Sequence, residues 1–235
     1  MKQEFDAYTA EDFAVWKALF SRQEVNLEDK ACSEYLNALS DMKSVLYADR
    51  IAEFSQLNDW FQSRTGWTIY CVPGLIPVDE FFELLANKQF CSSTWLRSLE
   101  QLDYLEEPDM FHDVFGHIPL LSNPVFSKFI HEFGKLGLKN KGNEERVIQL
   151  QRLYWFTIEF GLIQQNGPKV LGAGIASSFG ESIYALEEST VRLPFDLDEI
   201  LHTFFETDKI QPKYFVVEDM QQLYDAVLTL KERWK

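Results

Sequence analysis

Basic residues are scarce. There are 22 Lys and Arg against 37 Asp and Glu, a formal charge of −15. A phosphate-binding groove needs clustered Lys and Arg, and no such cluster is present, so nucleic acid and anionic membrane surfaces are not expected as partners. Long apolar runs are also missing; none approaches the ~20 residues of a membrane span. The opening MKQEFDAYTAEDF is acidic and lacks the apolar stretch of a signal peptide. Cysteine is limited to Cys32, Cys71 and Cys91. An odd number at irregular spacing excludes a disulfide framework and a zinc knuckle, and reduced thiols in the cytoplasm are the simplest reading. No repeat, low-complexity tract or Gly/Ser/Pro-rich linker divides the chain, so residues 1–235 are read as a single domain.

Aromatic residues, by contrast, are abundant: twenty Phe, nine Tyr and six Trp among 235 residues. That much aromatic surface implies a large packed core and allows an aromatic-lined pocket. With 46% hydrophobic residues, disorder is excluded. Local patterns predict a mainly helical α+β domain. Thr9 with Asp12 signals a helix over 10–22. Further helices are predicted over 48–64, 79–87, 124–137 (Asn123-Pro124 opening it), 143–165, 178–188, 196–205 and 219–234. Residues 67–72 and 213–217 read as short strands. The stretch 143–165 is apolar around nearly its whole circumference, which places it at the centre, with Asn166-Gly167 ending it.

Only four histidines are present: His112, His117, His131 and His202. The first two are five residues apart. On an ideal helix that spacing separates them by roughly 140°, so His112 is expected on a helix and His117 at its distorted end, beside Gly116 and Pro119. Such a pair alone is weak evidence for a metal. Glu159 adds to it, because a carboxylate inside an apolar helix costs several kcal/mol unless it is paired or bound to metal. A buried salt bridge to Arg152 or Arg97 is the plainer alternative. Two imidazoles and a carboxylate suit iron(II) with open positions, although zinc hydrolases use the same donors. Glu181 is the main rival for the third position. Asp113 should point about 100° away from His112, and Glu106, Glu107, Glu132, Glu144 and Glu145 belong to solvated segments. His131 and His202 are read as structural or surface residues.

Several ordered segments together resemble the pterin-dependent aromatic amino acid hydroxylases, in particular the short bacterial phenylalanine 4-hydroxylases. They are Val72-Pro73-Gly74-Leu75-Ile76, Arg97 to Tyr104, Glu107-Pro108-Asp109 with His112-Asp113 and Gly116-His117, Tyr154 to Leu162, Gly172-Ala173-Gly174, and Ser177 to Glu181. The resemblance covers roughly 67–220. It implies a catalytic domain with a deep iron cleft, iron(II) held by His112, His117 and Glu159, and a tetrahydropterin spent as a two-electron donor with O2 as co-substrate. One oxygen atom would go to the aromatic ring and the other to the pterin.

The resemblance also implies roles for single residues. Gly74, Leu75, Ile76, Phe81, Asp113 and Tyr154 would meet the pterin. Arg97 would clamp the amino acid carboxylate, a task suited to a planar guanidinium. Tyr104, Pro108, Trp155, Phe160, Ser177 and Glu181 would line or support the substrate pocket. Leu105, Gln151, Val78 and Asp79 depart from patterns common in the family, mostly on the pterin side. No N-terminal regulatory domain and no terminal heptad helix are expected, hence a monomer. Tryptophan 5-hydroxylation and phenylalanine 3-hydroxylation are alternative chemistries at the same site; a non-catalytic metal- or pterin-binding protein is the alternative from another class.

Overall fold

Thr9 and Asp12 form the expected capping box and open α1, Ala10–Leu27. The computed structural model, which describes residues 1–103, 107–207 and 209–235, continues with α2 (Ser33–Asp41), α3 (Phe54–Gln62), β1 (Thr68–Cys71), α4 (Val78–Ala86) and β2 (Gln89–Ser92). A π-helical turn, His112–His117, precedes α5 (Pro124–Asn140) and α6 (Glu144–Tyr154). A second π turn, Trp155–Glu159, leads into β3 (Gly161–Gln164) and β4 (Pro168–Val170). The remaining elements are α7 (Ala173–Ser177), α8 (Phe179–Tyr184), β5 (Val191–Pro194), α9 (Leu197–His202), β6 (Lys213–Val217) and α10 (Met220–Arg233). The architecture is α+β and mainly helical, with short strands.

β1 and β2 form a parallel pair in which Tyr70 lies opposite Cys91. The other sheet has the order β4-β3-β6-β5. β3 and β4 are antiparallel, while β3–β6 and β5–β6 are parallel. α5 packs against both α4 and α10. Its N-terminus is capped as its sequence predicts: the Asn123 side chain accepts from the N–H groups of Val125 and Phe126.

Several boundaries differ from the sequence reading. The helix expected over 48–64 begins only at Phe54. Gln3, distant in sequence, supplies the cap: its amide donates to Ala52 O and accepts from Phe54 N–H, both at 2.8 Å. Helix α2 was not anticipated. The expected helix over 143–165 stops at Tyr154, loosens into the π turn, and becomes strand β3. Its all-round apolarity has two sources, since β3 is an inner strand buried on both faces. Asn166-Gly167 is accordingly a hairpin turn and not a helix stop. Asn166 has φ 50° and Gly167 φ 109°, the positive values that short hairpin loops require. The helix expected over 178–188 is only the short α8, which ends at Tyr184; α7, just before it, was not anticipated, and α9 ends at His202.

The core runs beneath the first π turn. Phe111 and Phe115 stack at 4.9 Å, Phe20 meets Phe115 edge-on at 5.0 Å, and Trp16 meets Phe111 at 5.9 Å. Tyr35 donates its hydroxyl to Phe115 O at 2.5 Å. An inserted residue in a helix leaves backbone groups out of register, so such a turn persists only where its surroundings satisfy and clamp it.

A candidate iron and pterin site

The two π turns bring together three side chains that a regular helix would splay. In a turn closed by i→i+5 bonds, residues five apart lie on one face. His112 and His117 therefore both aim inward; the distortion expected at His117 is a π turn that takes in His112 as well. Their Nε2 atoms are 3.3 Å apart. Glu159, last residue of the second π turn, places Oε1 3.0 Å from His117 Nε2 and Oε2 3.6 Å from His112 Nε2. One donor atom from each of the three lies within 4.8 Å of the others, and they form the single such cluster among the described residues.

The surroundings hold the donors in a metal-ready state. Burial pushes the His112 imidazole down to about 4, so it is neutral at pH 7. Burial also pushes the Glu159 carboxyl up, but the imidazoles of His117 and His112 and hydrogen bonds from His117 and Tyr154 outweigh it and hold it at about 2. The buried Glu159 carboxylate beside two imidazoles is a charge that a divalent cation would balance. The second nitrogen of His112, Nδ1, is 2.9 Å from Ser177 Oγ, which fixes the ring's orientation. Gly172 makes room for this packing: a Cβ there would meet Glu159 O at 2.2 Å.

Two cavities meet at the cluster. The first, about 320 Å³, is lined by all six residues expected on the pterin side: Gly74, Leu75, Ile76, Phe81, Asp113 and Tyr154. Phe81 meets Tyr154 edge-on at 5.3 Å, whereas its neighbour Phe82 is 1% exposed and packs against Phe133 and Gly137. Both rings border the cavity, Phe81 as the more exposed of the two and Phe82 from within the core. Asp113 accepts from Ser93 N–H at 2.8 Å, and burial pushes its carboxyl up to about 7.

The second cavity, about 490 Å³, is lined by Arg97, Pro108, Trp155, Phe160, Ser177 and Glu181. Tyr104 and Leu105 lie outside the described residues. His112, Glu159, Trp155, Pro108 and Leu75 border both cavities, so the cluster stands in the partition between them. Glu181 is not a third metal donor: its carboxylate accepts from the Tyr214 hydroxyl and from Gln211 N–H. His131 and His202 bond to backbone carbonyls, in keeping with structural roles.

Asp109 is the residue whose importance the sequence reading missed. It is fully buried and accepts from Arg97 Nε and Nη2, each at 2.9 Å, and from the Arg97 backbone N–H at 3.1 Å. It also accepts from His112 N–H at 3.0 Å, capping the metal-facing turn. Its signal was available: an Asp three residues before His112 is an N-cap pattern. Arg97 itself is 8% exposed and so is not a solvated surface charge.

Known proteins share this arrangement of elements. A profile of the biopterin-dependent aromatic amino acid hydroxylases matches residues 5–233. The phenylalanine-4-hydroxylase of Chromobacterium violaceum is 47% identical over 96% of this chain and 76% of its own length. That of Pseudomonas aeruginosa is 44% identical over 94% of this chain and 83% of its own. A crystal structure of the Chromobacterium violaceum enzyme with bound iron(III) and the oxidised cofactor 7,8-dihydrobiopterin superposes with a TM-score of 0.92 at 46% identity, covering 99% of this chain and 86% of that one. With a profile match spanning nearly its whole length and this degree of identity, the chain belongs to the biopterin-dependent aromatic amino acid hydroxylase family.

Proposed function

We propose that this chain converts L-phenylalanine to L-tyrosine, using iron(II), a tetrahydropterin and O2. The observation that carries the reading is the pair of cavities joined at a three-donor centre: one aromatic and suited to a flat ring, the other carrying a buried guanidinium. Bound iron and pterin would supply oxygen activation and two electrons, with one oxygen atom passing to the substrate ring and the other to the pterin. The family and the names of the relatives support this choice of substrate.

The residues divide the remaining work. His112, His117 and Glu159 would hold the iron, leaving positions open toward both cavities. Ser177 holds His112 in its orientation. Phe81 offers a ring face or edge to the pterin, with Gly74, Leu75 and Ile76 along the same wall. Arg97 spends Nε and Nη2 on Asp109, and Nη1, 3.5 Å from Leu102 O, is the corner that would meet an amino acid carboxylate. Trp155, Phe160 and Pro108 shape the volume for the aromatic ring. A hydrophobic pocket separates substrates differing by small groups by only ~1–3 kcal/mol, so the same walls set the ring preference by shape.

The working form we infer is a monomeric cytoplasmic enzyme of one catalytic domain, its iron and pterin core at about 67–220. A charge of −15 keeps copies apart. The cysteines are free, and burial pushes the Cys32 and Cys91 thiols up to about 12, which suits a reducing compartment. No helix among the described residues is long and apolar enough to cross a membrane.

The deciding experiment strips the metal and restores it. Iron(II) should return tyrosine formation from phenylalanine with tetrahydropterin and O2, and zinc(II) should not. Product mass and NMR on phenylalanine, tryptophan and tyrosine separate the ring positions and substrates. Glu159→Gln should lose metal and product while Glu181→Gln keeps its metal; the reverse pattern removes Glu159 from the ligand set.

A further inference from the structure

Gln211 is 1% exposed, and its side chain makes three hydrogen bonds that join two parts of the chain. Its Oε1 accepts from the indole Nε1–H of Trp155 at 2.9 Å. Its Nε2 donates both hydrogens to the backbone, to Glu206 O at 3.1 Å and to Lys209 O at 2.8 Å. Its own N–H donates to Glu181 Oε1 at 3.2 Å. Among neutral side chains of this length, an amide alone presents one acceptor and two donors in a fixed plane.

The two elements it joins both belong to the 490 Å³ cavity. Trp155 forms the partition with the pterin side, and Thr207, Lys209 and Ile210 form the facing wall. Trp155 is gripped by rings: Phe205 stacks on it at 4.4 Å with planes 14° apart, and Phe160 lies at 4.6 Å. Stacked rings resist tilting but slide in their plane at little cost, whereas a hydrogen bond is directional. The bond to Gln211 is therefore what fixes the indole's in-plane position, and the same amide holds the backbone beside it.

We propose that Gln211 is a positioning residue for the amino acid substrate, locking Trp155 and the backbone of Glu206 and Lys209 into one wall of the 490 Å³ cavity. It touches neither reacting atoms nor the pterin cavity itself. Trp155 borders both cavities, but of the two the wall of Thr207, Lys209 and Ile210 borders only the 490 Å³ one, so the larger effect should fall on the amino acid. The kinetic arm rests on the proposed hydroxylase reaction; the structural arm does not.

The variant Gln211→Met keeps length and removes all three side-chain bonds. It should raise the Michaelis constant for phenylalanine about tenfold, the order expected from losing directional buried bonds. The constant for tetrahydropterin should rise less, by no more than about threefold, since of the groups released only Trp155 borders that cavity. Trp155→Phe deletes the indole donor, and the double variant should be no worse for phenylalanine than the poorer single one. Hydrogen exchange should quicken over residues 203–211 in Gln211→Met and in Trp155→Phe, while 144–154 stays protected. Additive effects, equal rises in both constants, or unchanged exchange over 203–211 would overturn the proposal. If Gln211→Met does not fold, exchange in Trp155→Phe decides by itself. If the unsubstituted protein makes no tyrosine, the substrate reading fails, and exchange still decides whether Gln211 couples the two elements.

Discussion

Replacing Asp109 with Asn tests the least exposed ion pair among the described residues. The carboxylate accepts four hydrogen bonds: two from the Arg97 guanidinium at 2.9 Å, one from Arg97 N–H at 3.1 Å and one from His112 N–H at 3.0 Å. Asn offers one acceptor oxygen and turns an NH2 group toward donors. It also leaves the guanidinium without its counter-charge at 8% exposure. Removing one partner of a buried pair costs about 3–5 kcal/mol. Arg97 borders the 490 Å³ cavity, where water can reach it, so the lower end, about 3 kcal/mol, applies. For a chain of this size each kcal/mol lowers Tm by about 2–4 °C, giving a drop of about 6–12 °C. Calorimetry reads that value, and the Michaelis constant for phenylalanine should rise with it because the guanidinium is no longer aimed. A Tm within 2 °C of the unsubstituted protein, with an unchanged constant, would refute the reasoning and make the pair dispensable.

Two further perturbations separate cavity from core and test a buried acid. Phe82→Ala should lose about 3–5 kcal/mol in a denaturant titration, because the ring is fully packed. Phe81→Ala should cost under about 1.5 kcal/mol while raising the constant for the pterin and wasting reduced pterin without product; equal destabilisation by both would place Phe81 in the core. Burial pushes the Glu181 carboxyl above its ordinary 4.5, against the hydrogen bonds of Tyr214 and Gln211. The folded state thus keeps the proton to higher pH than the unfolded chain, and stability falls as pH rises from 4.5 through the raised value. Glu181→Gln should flatten that part of the stability curve; a curve parallel to the original would clear Glu181 as its source.

The sequence was most informative where local rules act alone. The Thr9–Asp12 box and the Asn123-Pro124 start each mark a helix that begins where they indicate. The composition of 154–162 marked Glu159 as an acid in apolar surroundings, and the motif resemblance brought Arg97, Phe81 and Ser177 into consideration. Failures arose where a distant group decides the outcome. Helix α3 starts late because Gln3 caps it, fifty residues away. The stretch 143–165 looked uniformly helical because an inner strand and a central helix are equally apolar, and periodicity cannot separate them over so few residues.

What the residues by themselves determined is the list of chemistry: two imidazoles and one carboxylate in apolar surroundings, an arginine, and an excess of aromatic rings. What only the tertiary structure decided is their direction. A π turn costs backbone registry and forms only where neighbours pay that cost, here the Phe20, Phe111 and Phe115 stack and the Tyr35 hydroxyl. Phe20 and Tyr35 come from α1 and α2, far away in the chain, so no local pattern could announce that His112 and His117 share a face. The same holds for Asp109 and Gln211. Each is an ordinary polar residue in sequence, and burial against partners brought by folding leaves each with directional bonds that water can no longer replace.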